Sequence, residues 1–220
     1  DLRLTTLLES GAVMIEGDRS PVLLRCELSG NIVGVNCGQG SSPKLIDCTF
    51  TRNLVYPIVA DGSAPELIGC TISGNAGTAL YCHRGSRPVL TNCVIVGNRS
   101  GHTGGIYCRD RSSPVLTNCL IAGNWGRYVS VGFFDIESTA TFTNCTISGN
   151  SGGIDVAVFY CSANTLTTIS HSIIWDNVGG SIGVRIAAAA GLQVAFSCIE
   201  DAQPCPGEGN INLDPSFCAW

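Results

Sequence analysis

A short phrase returns almost unchanged along the 220 residues and limits what this chain can fold into. Cys26, Cys48, Cys70, Cys93, Cys119 and Cys145 each stand five residues after Pro21, Pro43, Pro65, Pro88, Pro114 or, varied, Ala140. Each is followed five residues later by Asn: Asn31, Asn53, Asn75, Asn98, Asn124 and Asn150. Successive cysteines are 22, 22, 23, 26 and 26 residues apart, and a seventh copy, His171 to Asn177, places Ser172 where Cys stood. Self-similarity at this period means stacked units, none of which can bury its apolar face without a neighbour.

Residues 104–124 show how one unit is built. Ile106 and Cys108 alternate with Tyr107 and Arg109, the period of a strand. Arg111, Ser112, Ser113 and Pro114 turn the chain, and Leu116 then points inward. Asn118 bends it again, Cys119 and Ile121 point inward on a third strand, and Gly123-Asn124 closes the coil with residue types that tolerate positive φ. Gly, Pro, Asn and Thr punctuate each unit, so no apolar 3.6-residue period survives and a helical repeat is excluded. Three short strands and three turns per unit predict an all-β, right-handed parallel β-helix of about eight rungs. One domain over 1–220 is expected, with 1–10 an incomplete first rung and 198–220 a closing segment.

The phrase Ser-Pro-x-Leu-x-Asn-Cys-x-Ile-x-Gly-Asn, followed by Gly-Gly-Ile-Tyr, resembles the right-handed parallel β-helix repeat proteins of bacteria, on the scaffold of the pectate-lyase-like superfamily. The similarity covers residues 11–217, and its closing run, Pro206 to Phe217, is similar to the phrase that ends the helix in many of them. The resemblance implies a secreted or cell-surface location. It fixes the scaffold and leaves the role open, because one fold carries lyases, hydrolases, adhesins and structural parts.

Charge narrows the partners. Twelve Lys and Arg face seventeen Asp and Glu, for a net charge of −5, and Lys44 is the only lysine. Without a clustered basic face, nucleic acid is not an expected partner. No apolar run approaches the length of a membrane span.

Ten of the thirteen cysteines occupy two repeat positions, the six above and an inward slot of the first strand filled by Cys37, Cys82, Cys108 and Cys161. Ile15, Val59 and Phe134 replace Cys in that slot, which marks it as apolar. These thiols are read as small buried hydrophobes. Parallel Cβ vectors on stacked rungs stay about 4.8 Å apart, too far for a disulfide. No Cys/His cluster has metal-ligand spacing, so neither metal nor cofactor is expected. Cys198, Cys205 and Cys218 fall outside the ladder; a disulfide Cys205–Cys218 or Cys198–Cys205 would pin the closing segment, and the spacing leaves both pairings open. Asn92, Asn118 and Asn144, with Asp47 and His171 at the same position, are read as an αL corner whose side-chain amides stack along the rod.

A binding site is expected on the outward face of the first strand, where the rungs align side chains into rows. The outward pairs read Met14/Glu16, Asn36/Gly38, Ile58/Ala60, Tyr81/His83, Tyr107/Arg109, Phe133/Asp135 and Tyr160/Ser162. One row is aromatic (Tyr81, Tyr107, Phe133, Tyr160) and its neighbour ionisable (His83, Arg109, Asp135). Such a face would suit a polysaccharide, with pyranose rings against aromatic faces. The same rows also fit plain stacking and surface ion pairs. The alternative is a polysaccharide-active lyase or glycoside hydrolase using His83, Arg109 and Asp135. The clustered aspartates, closely spaced carboxylates and Gly-His-Gly segment of enzymes sharing this scaffold are absent, so a non-catalytic structural or ligand-binding role is favoured. No capping helix precedes Gly11, so a fragment of a longer protein, or end-to-end association with another subunit, is also expected.

Overall fold

A computed structural model describes residues 3–4, 11–153, 157–178, 185–186, 191–200 and 207–216. The expected all-β solenoid is found. About seven turns stack as three parallel sheets of nine, eight and eight strands. Each turn runs from sheet B through a loop to sheet C, through a two-residue corner to sheet A, and through a second corner back to B. In the third turn these strands are Tyr56–Asp61, Glu66–Ile68 and Thr71–Ser73. Strands bond to the equivalent strand one turn away, as with Leu80↔Ile106 and Cys82↔Cys108 in sheet B.

Alternation in each short strand sends one side chain inward per turn. Leu45, Leu67, Leu90, Leu116 and Phe142 fill the sheet C side of the core, and Phe50, Ile72, Ile95, Ile121 and Ile147 the sheet A side, all fully buried. The cysteines of the phrase sit at the start of sheet A as predicted, and the thiols of the described residues are free. Each donates back to carbonyls, as Cys48 Sγ does to Leu23 O at 3.3 Å and Ile46 O at 3.4 Å. Burial pushes the Cys37 thiol up to about 12, with Cys82 adding to it, so the thiol stays neutral. Cys205 and Cys218 lie outside the described residues; Cys198 is half-buried, with Sγ 3.0 Å from Leu213 O.

Two expectations need correction. Asn92, Asn118 and Asn144 do take the αL bend, with φ near 55°, but their side chains are exposed and form no ladder. The amide ladder is made by the asparagine five residues after each cysteine. Asn53 donates from Nδ2 to Asn75 Oδ1 at 3.0 Å and to Leu28 O at 3.0 Å, while its backbone N–H donates to the same Asn75 oxygen at 2.9 Å. Asn75, Asn98, Asn124 and Asn150 repeat this pattern up to Asn177. In most rungs Gly, as at Gly74, Gly97 and Gly123, takes the positive φ, while the asparagine beside it turns inward.

The second correction concerns register. Ala60, not Val59, occupies the inward slot, because Ala60 pairs with Cys37 and Cys82. Ile58 and Ala60 are therefore core residues, and Val59 and Asp61 point outward. The loop from Ala60 to Pro65 is one residue shorter than the loop from Cys82 to Pro88, which displaces the count made back from Cys70.

From Asn98 onward the turns lengthen, and the extra residues form a small fourth sheet, Arg99–Ser100, Trp125–Gly126 and Ser151–Gly152, at the corner between A and B. Arg99 lies over the Trp125 ring at 4.1 Å. This insertion is what brings His102 beside sheet B.

Candidate functional site

The outward face of sheet B gathers the predicted aromatic residues and adds others. Tyr81, Tyr107 and Phe133 sit on adjacent strands in register, and Phe133 pairs with Tyr160. Their rings touch in sequence: Tyr81–Tyr107 at 5.4 Å, Tyr107–Phe133 at 5.0 Å and Phe133–Tyr160 at 4.5 Å. Tyr56 extends the ridge by stacking on Tyr81 at 4.8 Å. His102 stacks on Tyr107 at 4.9 Å and meets Phe133 and Tyr128 edge-on. The sequence pointed to neither Tyr56 nor His102, because Tyr56 opens its strand, away from the aligned position filled by Val59, and His102 reaches the ridge from the lengthened corner.

Stacking decides what the ridge can offer. Tyr56–Tyr81 and Phe133–Tyr160 are both within 16° of parallel, so these pairs cover one another's ring faces. His102 covers Tyr107 in the same way, so what remains for a ligand is ring edges and tyrosine hydroxyls. Offset and edge-to-face pairs of this kind contribute roughly 0.5–1.5 kcal/mol each beyond burial.

Beside the ridge runs the ionisable row, His83, Arg109 and Asp135, which gains Asp61 through the corrected register. Asp61 accepts from Arg84 NH1 at 3.1 Å and 2.8 Å and lies 3.5 Å from His83 Nε2. Ile58 stands five residues after Asn53 as Leu80 does after Asn75, the signal that would have placed Asp61 in the row. His83 stacks on Tyr81 at 5.0 Å. Burial pushes its imidazole below the usual histidine range, against the pull of Asp61, so it is neutral at neutral pH. His102 is lowered by burial too, and its Nδ1 lies 2.9 Å from Thr103 Oγ1. Tyr107 is held protonated chiefly by burial.

The remaining members of the row are engaged locally. Arg109 Nε lies 3.3 Å from Asp110 Oδ2, though without the angle of a hydrogen bond. Asp135 Oδ1 accepts the backbone N–H of Ile136 at 2.9 Å. Among the described residues no group of three His, Cys, Asp or Glu is placed to hold a metal ion.

Similarity to known proteins agrees with this architecture. The model of the right-handed beta helix region matches residues 8–101 and 33–198. The chain belongs to the right-handed β-helix family. No curated protein matches the sequence. Among solved structures, this β-helix is similar to pectate lyase Pel9A, with a TM-score of 0.61 and 9% identity over 100% of this chain and 69% of that one. QnrB1, a plasmid-mediated fluoroquinolone resistance protein, aligns at a TM-score of 0.29 and 11% identity, covering 86% and 92% of the two chains. At 9% identity the likeness to the pectate lyase is one of fold.

Proposed function

We propose that this β-helix is a non-catalytic extracellular or cell-surface module that binds an extended polysaccharide along the outward face of sheet B. The observation that carries this reading is the paired rows, an unbroken ring ridge from Tyr56 to Tyr160 flanked by Asp61, His83, Arg109 and Asp135. The outward positions of sheet A, by contrast, carry mostly Thr, Ser and Val, as at Thr49, Thr71 and Val94. A row of partly buried hydroxyls and charges at rung spacing matches a linear chain of hydroxyl-rich units better than a compact ligand. Against catalysis, Asp61 and Asp135 stand three rungs apart, roughly 14 Å at the spacing of a parallel sheet, beyond the roughly 5–9.5 Å at which two carboxylates flank a glycosidic bond.

A glycan array probed with the wild type and Tyr107→Ala tests this. Binding that falls by roughly tenfold or more in the variant, with no new chain ends in the sugar, supports the module. Failure of the wild type to bind any glycan refutes it. One feature favours a polysaccharide-active enzyme as second reading: neutral His83 lies 3.5 Å from Asp61, with Arg109 nearby. Cleavage of a bound sugar that disappears in His83→Ala would establish that reading instead.

A further inference from the structure

At the N-terminal end of the same face the ionisable row is interrupted by Gly38, which has no side chain to fill its place between the Glu16 and Asp61 rungs. A Cβ there would lie 3.1 Å from Ile15 O and 3.5 Å from Glu16 Cγ. The result is a notch of about 230 Å³ lined by Met14, Glu16, Gly17, Asn36, Gly38, Gln39 and Asp61. It is smaller than the roughly 300–1,000 Å³ of a drug-sized site, and suits one ring or a short polar arm.

The chemistry of its wall is one-sided. Glu16 and Asp61 are carboxylates, and among the described residues no Lys or Arg lines the notch. Arg84 holds Asp61 from one side, but a carboxylate has about four acceptor positions, so Asp61 retains capacity. Asn36 adds an amide whose buried Oδ1 has no hydrogen-bond partner, so turning it toward a ligand breaks no bond of that oxygen. Met14 supplies an apolar wall.

Glu16, with no cationic partner among the described residues, and the spare acceptor positions of Asp61 beside Arg84 call for a donor that carries positive charge. Resting on the polysaccharide reading above, we infer that the notch takes the protonated amine of an amino sugar, at one end of the bound chain. Glu16 and Asp61 supply the countercharge, Asn36 Oδ1 accepts one N–H, and Met14 packs on the ring. Organic ammonium suits these walls better than a metal ion, because the described residues provide no three-ligand cluster of His, Cys, Asp or Glu and one wall is a thioether.

The chain contains a single methionine, so a ¹³C-methyl methionine label reports on this notch alone. The labelled protein is titrated with glucosamine oligomers, with N-acetylglucosamine oligomers of equal length, and with calcium chloride. The expected result is a saturable shift of the Met14 methyl with the free-amine oligomer, weakened roughly tenfold or more by N-acetylation and by Glu16→Gln. Equal response to both oligomers overturns recognition of the charge, and a response to calcium that displaces the sugar overturns the amine assignment. If neither oligomer moves Met14, the notch reading falls. The loss or survival of array binding in Tyr107→Ala then reports separately on the ridge.

Discussion

At the corner leading from sheet A into sheet B, each turn spends a buried asparagine. At the corner leading out of sheet B, the chain bends through exposed residues that few proteins would choose. The first corner is closed by glycines at positive φ and by amides with no solvent access from Asn98 to Asn150. The second places Arg84, Asp110, Arg111, Ile136 and Glu137 in the left-handed region, at φ between 48° and 62°. Each non-glycine residue there costs about 1–2 kcal/mol. What repeats under this corner is a hydroxyl donating three residues back, as Ser86 Oγ does to His83 O at 2.7 Å and Ser112 Oγ to Arg109 O at 2.8 Å. One corner therefore keeps the turns in register, and the other is free to vary and to dress the rim of the binding face.

The strongest way to break this contrast is to remove one link of the ladder. Asn98→Ala strands the backbone N–H of Asn75, one of its two side-chain N–H groups and a bond to the carbonyl of Ile72, all buried. At about 1–3 kcal/mol per unpaired group, a loss of about 3–5 kcal/mol is expected in urea denaturation. A loss under 1 kcal/mol would mean that the ladder follows the fold instead of holding it.

The outer corner should respond in the opposite sense. Ile136 is β-branched, has φ 48° and is 44% exposed. Ile136→Gly relieves that strain at some entropic cost, for a net gain of about 0.5–1 kcal/mol by the same measurement.

The smallest expected effect separates the inner ladder from the rings outside it. Burial lowers the His102 pKa in the folded protein, so the unfolded chain takes up its proton first. This contribution is complete above the ordinary value of 6.5 and is lost as pH falls from there toward the depressed folded value. His102→Gln should flatten part of that slope, leaving the part due to His83, in denaturation midpoints measured against pH. An unchanged slope would show that His102 does not titrate with folding.

Much of this was legible from residue spacing alone. The Pro–Cys–Asn phrase gives the solenoid, the inward thiols and the αL corner, because period and side-chain alternation are properties of the backbone. Two readings went astray where one residue changes a register. Counting back from Cys70 put Val59 inside, since nothing in that count reveals the shortened loop before Pro65. The spacing assigns stacking to Asn118 and a positive-φ turn to Asn124, and only the course of the chain shows that Asn118 faces water while Asn124 is enclosed. Tyr56 joins the ridge from the first position of its strand and His102 from a corner, neither of which the aligned row specifies.

The amide ladder also has a direction. Asn53 gives its protons to Asn75, Asn75 to Asn98, and Asn98 to Asn124, always toward the higher residue number. Any turn inserted by duplication within that line would arrive with one group to give and one to take, satisfied by the turns on either side. The length of the molecule is thus open to evolution by whole-turn gene duplication, with no compensating change in the interior.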